Sequence, residues 1–98
     1  MVELKSDLIN KYLKINNNIL VVFGSDQCKH CLSLKPQLYK LSQEYPEREI
    51  IFVDCERFSI SADLYNIEEY PTIIHFDHQQ IKNKIITSNI NKIKNLWL

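Results

Sequence analysis

The chain has 98 residues, enough for one domain (1–98) with a real core but little spare stability. Hydrophobic residues make up 45%, which excludes a disordered chain, and 12 basic residues balance 12 acidic ones, which leaves no electrostatic footprint for nucleic acid or an anionic membrane. Gly24 is the only glycine, so the glycine-rich loops that bind dinucleotides or cradle phosphates cannot be built. In chain order, Leu4, Leu8, Tyr12 and Ile15 recur at helical spacing and predict a helix over most of the first fifteen residues. A short edge strand at Val2 to Leu4, with Ser6 or Asp7 capping the helix, is the alternative. The N-terminus is charged and has no apolar h-region, and the run ILVVF (19–23) is too short to span a bilayer, so a soluble cytoplasmic protein is expected.

ILVVF is apolar without alternation and β-branched, the signature of a strand buried on both faces. Gly24 to Cys28 turn into a helix on which Cys31, Leu34, Leu38, Leu41 and Tyr45 share one face. Pro36 falls inside that helix, and Pro46 ends it. EIIFVD (49–54) is a second buried strand. Ile60, Leu64 and Ile67 predict a short helix over 59–67, and TIIHF (72–76) a third strand. A turn at Asp77 to Gln80 leads to a fourth strand at 81–87, and Ile90, Ile93 and Trp97 fit a closing helix. The order α–β–α–β–α–β–β–α implies a parallel pair joined by a crossover helix, then an antiparallel hairpin: an α/β fold with a mixed sheet flanked by helices on both faces.

Cys28 and Cys31 carry the chemistry. Cys28 sits where a strand hands over to a helix, where unpaired N–H groups favour a thiolate, and the thiolate is the nucleophile. Lys29 and His30 add positive charge between the cysteines. Cys31 lies one turn on, within reach of a disulfide, and on the apolar face. One exposed and one buried thiol suit attack by the first and resolution by the second. The competing readings are an inert pair or a metal clip. A structural zinc site needs about four ligands, and only Cys55, His75 and His78 remain to supply them.

From about residue 19 onward the chain resembles the thioredoxin family. The resemblance rests on the apolar strand ending in Phe23, the Cys-x-x-Cys at 28–31, Pro36, Asp54 and the Tyr70-Pro71-Thr72 that opens the hairpin. It implies a thioredoxin fold with a four-stranded central sheet, its first edge strand short or absent. It also implies a cis Pro71 packed against the cysteine pair, and backbone groups of Tyr70, Pro71 and Thr72 that pair with an extended client segment. The implied activity is thiol–disulfide exchange with client proteins by a monomer that holds no cofactor or metal and trades electrons with a separate reductase or oxidase.

Four departures matter. Lys29-His30 replaces the familiar Gly-Pro, and His30 is similar to the histidine of protein disulfide isomerases, which points to a less reducing couple. Gln27 and Gly24 replace two aromatics of the docking rim. Val22 stands where a buried acid would help move the proton of Cys31; Asp26 is expected on the loop surface, and Asp54 is expected to be structural. Thr87 or Ser88 stands where a glycine would line the groove. The rival readings are a glutaredoxin-like enzyme using glutathione, disfavoured because DHQQ (77–80) lacks the glycine pair for the tripeptide, and a redox-inactive thioredoxin-fold binding module.

Overall fold

A computed structural model describes residues 1–98 as one mixed sheet with helices on both faces. The strands are β1 (Val2–Glu3), β2 (Asn18–Gly24), β3 (Glu49–Asp54), β4 (Thr72–Asp77) and β5 (Gln80–Ile86); the helices are α1 (Ile9–Tyr12), α2 (Lys29–Glu44), α3 (Ser59–Leu64) and α4 (Ile90–Trp97). The sheet order is β1-β3-β2-β4-β5. β3 is parallel to both β1 and β2, β4 is antiparallel to β2, and β5 closes the hairpin on β4.

Alternation along the central strands explains why they carry no polar face. Leu20 and Val22 of β2 join Ile50, Phe52 and Ile73 beneath α2 and α4, against Cys31, Leu34, Leu38, Leu41, Ile93 and Trp97. Ile19, Val21 and Phe23 point the other way and join Ile51, Val53, Ile74 and Phe76 beneath Ile9 of α1 and Ala62 of α3. Successive side chains of a strand face opposite sides, so a sheet covered on both needs apolar residues at every position.

Three expectations change. The N-terminal helix is a single turn, and Val2–Glu3 form the edge strand. Asp7 does not cap α1: its carboxylate accepts the backbone N–H groups of Ile60 and Ser61, at 3.0 and 2.7 Å, and so caps α3 from a distant part of the chain. Within α3 the apolar stripe is rotated. Ile60 and Leu64 are exposed (63% and 54%), and the face on the sheet is made by Phe58, Ala62 and Tyr65. That second stripe is also helically spaced, and the cap at Asp7 fixes which one turns inward. The β4–β5 turn places His78 and Gln79 at φ 51° and 69°. Positive φ at both central residues matches the twist of a two-residue hairpin, and here it is met without glycine.

α4 is fixed to the sheet by a buried polar clamp. The side-chain oxygen of Asn18 accepts both the Trp97 indole N–H and the His75 Nε2–H, each at 2.9 Å. The indole can only donate, so the Asn18 atom facing both rings is oxygen, and His75 carries its hydrogen on Nε2. His75 is 3% exposed and its Nδ1 has no partner. Burial, with smaller contributions from Lys82 and Arg48, holds its pKa below the ordinary 6.5, against an opposing pull from Asp77. No helix is long and apolar enough to cross a membrane.

Asn18→Ala should cost about 1–3 kcal/mol, because two buried donors lose their shared acceptor, as read by urea unfolding near neutral pH. The imidazole adds a pH dependence. The unfolded chain takes up a proton near 6.5 and the folded chain only at lower pH, so this contribution is complete above 6.5 and is lost as pH falls from there toward the folded value. The urea midpoint should therefore drop between about pH 7 and pH 5, and the drop should shrink in His75→Gln.

Candidate functional site

The site is built where β2 ends and α2 begins. Gly24 closes the strand, and the next residue, Ser25, is buried and organises the turn: its hydroxyl accepts the Gln27 N–H at 3.0 Å and its carbonyl the Cys28 N–H at 3.2 Å. Cys28 then takes extended backbone angles (φ −94°, ψ 117°) and caps α2. Its Sγ accepts the backbone N–H of Cys31 at 3.3 Å, and its carbonyl accepts that of Leu32. A cysteine thus fills the role usually given to Ser, Thr, Asp or Asn at a helix start, with sulfur as the acceptor for an otherwise orphaned donor. Lys29 and His30 lie exposed in the first turn.

The two thiols differ in environment. Cys28 is half-exposed, whereas Cys31 is fully buried against Leu34 and the sheet. Burial pushes the Cys31 thiol up to about 12, the neighbouring Cys28 sulfur adds to this, and the backbone at Ser25 opposes it. Gly24 makes this depth possible: a Cβ there would lie 2.9 Å from the Cys31 Sγ and 3.0 Å from the Phe52 ring. The position that loses a rim aromatic is therefore the seat of the second sulfur. Cys55 is also buried, at 4% exposure, and burial, then the Asp54 charge, pushes its thiol up to about 12.

Strand pairing brings in the remaining site candidates. Thr72 is in register with Phe23, so Tyr70 and Pro71 lie beside Gly24 and the cysteine loop. The Tyr70–Pro71 peptide is cis, and Pro71 is buried. Thr72 is buried and donates its hydroxyl to the Glu69 carbonyl at 2.6 Å, which closes the loop. Tyr70 packs against both cores, and burial raises its pKa. Val22 is fully buried beneath α2, so no carboxylate lies there. The residues that would complete a zinc site do not come together. Asp77 to Gln80 lie at the far end of β4, about 20 Å from Pro71 at the usual rise per residue, too far to line a pocket at the cysteines.

One charged cluster at the rim has no sequence signal. The Lys35 ammonium pairs with Glu3 at 2.6 Å and Asp26 at 3.1 Å, and sits 4.4 Å from the centre of the Phe52 ring. Tyr39 donates its hydroxyl to Glu3. Hydrogen bonds from Lys35 and Tyr39 lower the Glu3 pKa. The cluster ties the edge strand and the loop before Cys28 to α2. Its members are separated by up to 36 positions in the chain, so only the assembled sheet reveals it.

A family model described as Thioredoxin matches residues 1–96. Among curated proteins, the chain is 23% identical to thioredoxin Asp f 28 of Aspergillus fumigatus over 98% of its own length and 90% of that protein. It is 25% identical to a protein disulfide-isomerase of Saccharomyces cerevisiae over 87% of its own length but only 17% of that relative, so it spans about one sixth of the isomerase it matches. Among solved structures it overlays Fasciola hepatica thioredoxin with a TM-score of 0.91 at 22% identity, covering 97% of this chain and 94% of that one.

Iodoacetamide should label the native reduced protein at Cys28 alone, read by mass spectrometry, because Cys31 and Cys55 are buried thiols. All three should label after unfolding in urea.

Proposed function

The chain belongs to the thioredoxin family of oxidoreductases, and on that premise we propose that it exchanges disulfides with client proteins through the Cys28–Cys31 couple. The observation that carries this reading is the asymmetry of the pair: Cys28 is accessible at the helix cap, and Cys31 is buried one turn behind it. Cys28 as thiolate attacks a client disulfide. A Cys28–client disulfide forms, and the other client sulfur leaves as a thiol. Cys31 then attacks the Cys28 sulfur, the internal disulfide forms, and the client departs reduced. The reverse sequence donates a disulfide.

Tyr70, Pro71 and Thr72 hold the client. Backbone groups beside the cis peptide pair with an extended segment, and the bulk of Tyr70 narrows the accepted set. Lys29 and His30 lie exposed between the two cysteines, and a reduced form stabilised there would make the couple less reducing than that of a typical thioredoxin. We infer action as a cytoplasmic monomer supplied by a separate reductase or oxidase.

Cys31→Ser should retain client proteins as mixed disulfides that survive non-reducing electrophoresis and disappear with dithiothreitol. Cys28→Ser should retain none. Recovery of the same partners by both variants without covalent capture would favour the binding-module reading instead.

A further inference from the structure

We propose that Asp54 is the acceptor for the proton that Cys31 releases when it resolves a mixed disulfide, and that this proton travels through the cleft at the open ends of β1 and β3. The inference rests on the dithiol reading above and names how its second step proceeds without an acid at Val22.

The cleft has a volume of about 210 Å³. Its walls include Glu3, Lys5, Asp26, Phe52, Asp54 and Arg57. Phe52 is the shared wall between the cleft and the second sulfur: its ring edge and the Cys31 Sγ converge on the point where Gly24 lacks a Cβ. Asp54 is in register with Gly24 on the adjacent strand and has the parity of Phe52, so it belongs to the sheet face that carries Cys31. The absence of a side chain at Gly24 thus seats the sulfur low, toward the end of the sheet where Asp54 stands.

Among the three cleft carboxylates, Asp54 is the one free to act. Glu3 is held by Lys35 and Tyr39, and Asp26 by Lys35. The Asp54 carboxylate makes no ion pair and accepts only the Glu56 N–H, through one oxygen, at 3.1 Å. It is half-buried, and its charge is felt by the Cys55 thiol. The need for an acceptor follows from Cys31 itself, whose burial keeps it protonated at neutral pH.

In the step, the Cys31 S–H bond breaks and its proton passes past the edge of the Phe52 ring, which walls the cleft off from the sulfur, and then by way of water in the cleft to the Asp54 carboxylate. The sulfur electron pair forms the bond to Cys28. The bond between Cys28 and the client sulfur breaks, and its electron pair leaves on the client as thiolate, which solvent protonates. The two cysteines are oxidised as the client disulfide is reduced to two thiols, so electrons and protons balance. Asp54 acts through Cys31 and is a positioning and proton-accepting residue.

The test is stopped-flow reaction of the reduced protein with dithiobis(nitrobenzoate), which releases one coloured thiolate when Cys28 attacks and a second when Cys31 resolves. In Asp54→Asn, which keeps the acceptor for Glu56, the first phase should be unchanged and the second slowed by about a hundredfold near neutral pH. The second phase should depend only shallowly on pH in the parent protein and rise about tenfold per pH unit in the variant, where hydroxide must take over. Asp26→Asn should leave both phases intact. Equal second phases in parent and Asp54→Asn would overturn the proposal, as would equal slowing by Asp26→Asn. Should the Asn variant fail to fold, a steep rise of the second phase in the parent would overturn the proposal by itself. Absence of the first phase in the parent would overturn the dithiol reading.

Discussion

The hydrogen bond from the Cys31 backbone N–H to the Cys28 sulfur is the contact on which the site depends. It fixes a sulfur at the start of α2, where orphaned donors and the helix dipole favour negative charge. It also sets the second cysteine one turn further in, under the helix and against the sheet. The buried strands make this arrangement rigid. β2 carries its apolar residues on both faces, so the point where it releases the chain into the loop cannot shift without exposing one core or the other. The same strand pairs Phe23 with Thr72 and thereby brings the cis peptide beside the cysteine loop.

Much of this was legible in the sequence because it was encoded locally. ILVVF and EIIFVD lack polar alternation, and only strands covered on both faces tolerate that. The 31, 34, 38, 41 spacing named the face of α2 that buries, and each of those residues is buried. The illegible parts were encoded between distant segments. Two helical stripes compete in residues 58–67, and the choice is made by Asp7, some fifty positions earlier. His75 reads as an accommodated strand residue until Asn18 and Trp97 close on it. Gly24 reads as a lost rim aromatic; its tertiary role, as the floor beneath the Cys31 sulfur, exists only once the helix has docked.

The departures from the family pattern have one physical theme. A fully buried Val22 removes a charge from beneath the second thiol, and burial then leaves that thiol strongly protonated. Charge is relocated to the rim, where Lys35 gathers Glu3 and Asp26 over the Phe52 ring and Asp54 stands unpaired. Carboxylates at the rim avoid the cost of burying a charge. Lys29 and His30 occupy the exposed side of the pair. Together these leave the charges at the edges of the site and its interior apolar.

The most direct test of the central claim is the equilibrium of the Cys28–Cys31 pair with reduced and oxidised glutathione, read by the fraction of protein that can be alkylated at both cysteines. The account predicts a single two-electron transition with a potential nearer to about −180 mV, as in disulfide isomerase, than to about −270 mV, as in thioredoxin. A transition at or below about −270 mV would contradict the assigned influence of Lys29 and His30, and the absence of any two-electron transition would contradict the redox couple itself.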